Sequence, residues 1–136
     1  MIRVILCDDH AMIRRGIRET LSEAVDIQVT DEAGSYAEVR EAMRISPCDV
    51  LVLDLNLPGR GGLEVLSSLR EANSPIKVLI VSMYPEDQYA IRCLRAGAQG
   101  YLNKAGEPAD LITAVRTVAQ GRKYVTPEVA HMLVDS

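Results

Sequence analysis

The chain alternates short apolar runs with amphipathic stretches, five times over. Ile2 to Cys7, Val50 to Leu53 and Ile76 to Val81 are nearly unbroken apolar runs of strand length, the pattern of strands buried on both faces of a parallel sheet. Ile27 to Ala33 is less hydrophobic and reads as an edge strand, and Gly100-Tyr101-Leu102 is a short fifth strand. Between these runs apolar residues recur at helical spacing. Ile13, Ile17, Thr20, Leu21 and Ala24 follow the first strand. Tyr36, Val39 and Met43 follow a capping box of Ser35 and Glu38, and Leu63, Leu66 and Leu69 form a third helix ending near Asn73. Pro85 suits the first turn of a fourth helix that stops at Gly97. Pro108 and Asp110 open a fifth that stops at Gly121, and Thr126-Pro127-Glu128 starts a short extra C-terminal helix.

Five strand–helix alternations with short connections predict an α/β fold, a doubly wound five-stranded parallel sheet with right-handed crossovers. The two most apolar strands, first and third, belong side by side at the centre. That favours the flavodoxin-like order 2-1-3-4-5, with its switch point between those two strands. Asp8 and Asp9 end the first strand, Asp54 ends the third, and Ser82 and Lys104 end the fourth and fifth. The predicted topology therefore converges them on one crevice. Any one of them alone has a plain reading as a helix cap or a loop charge. Meeting at correctly placed strand ends is what makes the set informative.

Composition narrows the picture further. A chain of 136 residues is one domain, and with no Trp or Phe its core must be mainly aliphatic. A formal net charge of -4 and the lack of a basic run argue against direct binding to a nucleic-acid backbone. No apolar segment approaches membrane-spanning length. Cys7, Cys48 and Cys93 are odd in number and widely spaced, as expected of reduced thiols in a cytoplasmic protein rather than of zinc ligands.

Three carboxylates drawn together out of bulk water repel one another, so they need a cation or must hold protons. Oxygen-only ligands suit Mg²⁺, which keeps several waters and binds through a few carboxylates plus a phosphate. Lys104 can supply charge to an anion and Ser82 a hydroxyl donor. Acid cluster, lysine and hydroxyl describe a site for a phosphoryl group, with Asp54 as the nucleophile. Gly59-Arg60-Gly61-Gly62 lacks the features of a phosphate-binding loop and reads as turn chemistry. His10 reads as structural.

Asp8-Asp9, Asp54, Ser82 and Tyr101-Leu-Asn-Lys104, each after its strand, resemble the receiver domain of a bacterial two-component response regulator over Ile2 to about Gly121. Cys7-Asp-Asp-His10 with Arg15-Gly16, Leu57-Pro-Gly59 with Gly62-Leu-Glu64, and Ser82-Met-Tyr84 are most similar to the NarL/FixJ (LuxR-type) subgroup. The resemblance implies that Asp54 accepts phosphate from a histidine kinase with Mg²⁺, or Mn²⁺ in its place. It implies direct metal ligation by Asp9, Asp54 and the backbone carbonyl of Asn56, and ligation by Asp8 through water. It implies that Ser82 and Tyr101 act as a switch, the tyrosine turning inward from a partly exposed position as Ser82 moves. The surface expected to change on phosphorylation is the fourth helix, fifth strand and fifth helix, as a site either of homodimerisation or of contact with an effector domain, and no enzymatic activity is expected beyond the domain's own phosphorylation and dephosphorylation. Lys104-Ala105 departs from the common Lys-Pro, and Ser82 replaces the commoner threonine.

Residues 1–121 are thus expected to be the receiver, and 122–136 the start of a linker toward a C-terminal DNA-binding effector domain absent from this chain. The alternative is a stand-alone receiver acting by protein contact. A phosphatase of the haloacid dehalogenase type would need a second Asp where Asn56 stands, and would carry its motif on the first strand. A flavodoxin-like binding module would want aromatic residues and no acidic pair at its phosphate loop.

Overall fold

A computed structural model of the chain describes residues 1–59 and 61–135. The elements are β1 (Ile2–Cys7), α1 (Ala11–Ser22), β2 (Ile27–Ala33), α2 (Tyr36–Ile45), β3 (Val50–Asp54), α3 (Gly62–Glu71), β4 (Lys77–Ser82), α4 (Glu86–Arg95), β5 (Gly100–Asn103), α5 (Pro108–Ala119) and α6 (Pro127–Asp135). The strands form one sheet in the order β2-β1-β3-β4-β5, parallel throughout, as the apolar pattern predicts. Every residue of β3 is buried. One face of the sheet is covered by α1 and α5, whose Leu21, Leu111, Val115 and Val118 pack on Val4, Leu6, Val50 and Val52. The other is covered by α2, α3 and α4 through Val39, Val65, Leu66, Cys93 and Leu94.

Register turns this core into a site. Cys7 pairs with Leu53, so the residue after β1 emerges beside the last residue of β3. Asp54 pairs with Val81 and Ser82 with Asn103, so Ser82 and then Lys104 emerge one step further along neighbouring strands. Parallel pairing of buried strands fixes this stagger, because a slip of one residue would exchange the side chains of the two apolar layers and break the packing of both.

Several local details differ from the expected pattern. Ile13 remains 36% exposed, and Leu21 is the one fully buried residue of α1. The helix leans on the sheet by its C-terminal half, leaving its first turn to the rim of the crevice. Pro85 caps α4 from outside rather than sitting in its first turn. In the Ser35 capping box, Ser35 Oγ accepts from Glu38 N, but the Glu38 carboxylate reaches back to Gly34 N instead of Ser35 N. The Gly-rich loop does more than turn. A Cβ on Gly62 would stand 2.9 Å from the Asp54 carbonyl oxygen, so a glycine lets α3 begin directly against the end of β3. Arg60 lies outside the described residues.

The tail beyond α5 folds back on the sheet. Tyr124 N donates to Gln99 O at 3.0 Å and Tyr124 O accepts from Tyr101 N at 3.1 Å, extending the β5 edge by one parallel bridge. From there α6 packs against α4 with Val129 fully buried. Replacing Gly62 with alanine is expected to destabilise the fold by about 1–3 kcal/mol, the range for overpacking against fixed backbone. Urea unfolding of the Gly62→Ala variant measures it, and an unchanged midpoint would show that the loop can give way.

Candidate functional site

The site lies at the carboxyl ends of β1, β3, β4 and β5. Asp8 Oδ2 is 2.8 Å from Lys104 Nζ, and the same ammonium is 3.3 Å from Asp54 Oδ2. All three side chains are buried, at 2%, 8% and 5% exposure for Asp8, Lys104 and Asp54. Asp8 Oδ1 accepts from His10 N at 2.8 Å and its carbonyl accepts from Arg14 at 2.5 Å, while its buried Oδ2 faces the Lys104 ammonium without a hydrogen bond among the described residues. Arg14 is held in turn by Glu32 at 3.1 Å. Asp9 is 31% exposed and turns to the mouth of the crevice. Asp54 Oδ1 takes one backbone donor, Asn56 N, at 3.3 Å.

Burial pushes the Asp54 carboxyl above the usual carboxylate range. Lys104 works against that shift and the Asp8 charge adds to it. The nearby Cys7 thiol is driven up to about 12, first by burial and then by Asp54 and Asp8, so it stays protonated beside them. Asp8, Asp9, His10 and Asp54 each bring one potential ligand atom into a group lying within 4.8 Å of one another. His10 was read as structural from its position, yet its Nδ1 sits 3.2 Å from Asp8 Oδ1 and 3.1 Å from Asp9 Oδ1. The sequence signal for it was direct adjacency to the acidic pair.

Ser82 is buried at the end of β4, where its Oγ accepts from Tyr84 N at 3.0 Å. Tyr84, which the strand pattern did not single out as a site residue, joins the loops around the crevice. Its phenol oxygen accepts from Asn56 Nδ2 at 2.8 Å, its carbonyl accepts from Tyr101 OH at 2.9 Å, and its ring stacks on Tyr89 at 4.6 Å between centroids. Tyr101 departs from expectation. Its ring is already inside, 1% exposed within the α2–α4 layer, and its hydroxyl is satisfied by the Tyr84 carbonyl. No apolar area is left for it to gain by turning inward.

A crevice of buried carboxylates bridged by one lysine, at the switch point of a 2-1-3-4-5 sheet, defines a class before any comparison is made: a receiver-type acidic pocket. The chain belongs to the response regulator receiver domain family, which it matches over residues 4–116. It is 38% identical over 134 residues to the response regulator GacA of Pseudomonas viridiflava and 32% identical over 133 residues to the response regulator UvrY of Escherichia coli K12. Each alignment covers 98% of this chain, which spans 62% and 61% of the length of those relatives. Among solved structures it is similar to a LuxR-family two-component response regulator from Aurantimonas, with a TM-score of 0.85, 31% identity, and 98% of this chain and 95% of that one covered. It is also similar to the signal receiver domain of the putative response regulator NarL of Mycobacterium tuberculosis, with a TM-score of 0.82, 32% identity, and 89% and 98% covered. The NarL/FixJ subgroup expected from the motifs agrees with these relatives. No helix among the described residues is long and apolar enough to cross a membrane.

The raised Asp54 pKa has a defined consequence for stability. The folded state holds a proton on Asp54 at a pH where the unfolded chain has released it, so this residue's contribution to stability falls as pH rises through that window. Without metal, Asp54→Asn is therefore expected to be more stable than the wild-type chain, by a margin that grows as pH rises from the ordinary carboxylate value through the raised one. Parallel urea titrations at several pH values check this. A constant difference would mean that Lys104 fully compensates the carboxylate.

Proposed function

We propose that the chain is the phosphoacceptor module of a two-component signalling pathway, taking a phosphoryl group on Asp54 from a phosphohistidine donor. The observation that carries the reading is the Lys104 ammonium lodged between Asp8 and Asp54 with Asp9 beside them. Three carboxylates and one ammonium leave two negative charges uncompensated. That fits a divalent cation, and the all-oxygen carboxylate donors fit Mg²⁺ or Mn²⁺ rather than a softer metal. Asp9, Asp54 and the Asn56 carbonyl would hold the ion. Asp8, whose Oδ1 already accepts from His10 N and whose Oδ2 faces Lys104, would reach it through water. When bound, the ion neutralises charge on the phosphoryl oxygens.

The carboxylate of Asp54 attacks phosphorus, the P–O bond forms as the donor's P–N bond breaks, and the imidazole leaves and takes up a proton. Lys104 is the group that can leave Asp8 and Asp54 to pair with a phosphoryl oxygen, a point charge suited to that task. The Ser82 hydroxyl accepts from Tyr84 N and lies against the Tyr101 phenol, and turning its proton from that phenol would let it donate to a second phosphoryl oxygen. Because Tyr101 is already buried, movement of Ser82 is transmitted through Tyr84 rather than by filling an empty space with the ring. The module acts on no second substrate, and its chemistry is its own phosphorylation and dephosphorylation.

The donor must approach from the open side, where Met12 and Ile13 at the start of α1 expose apolar surface beside the acidic pair. That surface suits a histidine kinase in the cytoplasm. The fraction of its relatives' length that the chain spans supports reading it as the receiver part of a DNA-binding regulator, with dimerisation on phosphorylation through α4, β5 and α5.

Acetyl phosphate with Mg²⁺ is expected to add one phosphoryl group, seen by intact mass, to the wild-type chain and none to Asp54→Asn. An equal adduct on the variant would overturn the assignment. In a thermal-shift titration Mg²⁺ should raise the midpoint of the wild-type chain, less so for Asp8→Ala and least for Asp9→Ala. At ten times the dissociation constant the stabilisation is about 1.4 kcal/mol. Wild-type behaviour in both variants would mean the acidic pair is structural.

A further inference from the structure

The last segment of the chain is built into the switch. Position 100 is glycine where a Cβ would stand 3.0 Å from Tyr124 Cβ and 3.1 Å from Tyr124 O, so β5 is shaped to receive the tail. Two backbone hydrogen bonds hold Tyr124 there. Val129 is fully buried in the same apolar layer as Tyr101, Ala90 and Cys93, with Val125 and Leu133 packed against its rim. At the start of α6, Thr126 N donates to Glu86 Oε1 at 3.2 Å. Thr126 also caps the helix, its Oγ1 accepting from Val129 N at 3.3 Å. The first residue of α4 therefore holds the first turn of α6.

Glu86 lies two residues beyond Tyr84, and Tyr84 N is bonded to the Ser82 hydroxyl. One hydrogen bond ties Ser82 to Tyr84 and another ties Glu86 to Thr126, and the short backbone stretch through Pro85 joins the two. A hydrogen bond of 3.2 Å tolerates little extension: a displacement of about 0.5–1 Å carries it past the useful range. Gly121, at a φ of 83°, lies between α5 and Tyr124, giving the segment a hinge outside the packed layers.

We propose that α6 is a strap docked on α4 and the β5 edge in the unphosphorylated protein, and that drawing Ser82 toward a phosphoryl group on Asp54 pulls the Tyr84 loop inward, withdraws Glu86 from Thr126 and lifts the strap. This inference rests on Asp54 as the phosphoacceptor. It adds that the output of the site is the docking state of α6, the segment through which any following chain would be attached.

Amide hydrogen exchange of the segment 124–133 tests it, with intact mass recorded on the same sample before and after acetyl phosphate and Mg²⁺. Phosphorylation is expected to speed exchange of α6 at least ten-fold while amides of β1 and β3 stay protected. Glu86→Ala should produce a comparable loosening of α6 without phosphate, and Glu86→Gln, which keeps an acceptor, should restore most of the protection. A full adduct with α6 protection unchanged overturns the strap and leaves the phosphoacceptor reading standing. Unchanged protection in Glu86→Ala equally removes the proposed linkage. The absence of any adduct on Asp54 would instead defeat the phosphoacceptor reading, and the strap's trigger with it.

Discussion

Burying carboxylates is expensive unless their charge is answered, and the architecture of this chain follows from how that problem is met. Asp8 and Asp54 lie inside the crevice, and one ammonium, Lys104, lies between them. Lys104 follows the edge strand β5 and reaches across to Asp54 at the end of β3, two strands away, and to Asp8 after β1, three strands away. The balance is incomplete by design of the residue set, because Asp9 adds a third acid at the mouth. A pocket that is still negative after its own lysine is counted suits a divalent cation, and such a cation would let it accept an anion that it would otherwise repel.

The sheet makes such a pocket affordable. All the strands that deliver site residues are paired in parallel, with apolar side chains on both faces, so their carboxyl ends are held in fixed stagger by two separate core layers. What is left less constrained is the ring of loops above the strand ends. There the polar contacts concentrate on Tyr84, which meets Asn56 by its phenol, Ser82 by its amide and Tyr101 by its carbonyl. A rigid floor thus lies beneath loops that share one residue, Tyr84.

The boundary between receiver and linker looks different in three dimensions than along the chain. Residues from 122 onward follow a glycine stop and read as a connecting segment, yet Tyr124 pairs with the edge of the sheet and Val129 closes the apolar layer over α4. The segment is part of the packed domain.

Most of the fold was legible in the sequence because buried parallel strands and amphipathic helices leave strong periodic signals. Val50 to Leu53 admits no reading but a central strand, and the strand ends then name Asp8, Asp9, Asp54, Ser82 and Lys104 together. Contacts that depend on orientation across loops were not legible. That His10 turns back onto the acidic pair, that Ile13 stays at the rim, and that Tyr101 is already enclosed with its hydroxyl on the Tyr84 carbonyl are settled by packing between segments distant in sequence. Hydrophobic periodicity reports which face of an element is buried. Only the assembled layers decide how deeply, and against which polar partner.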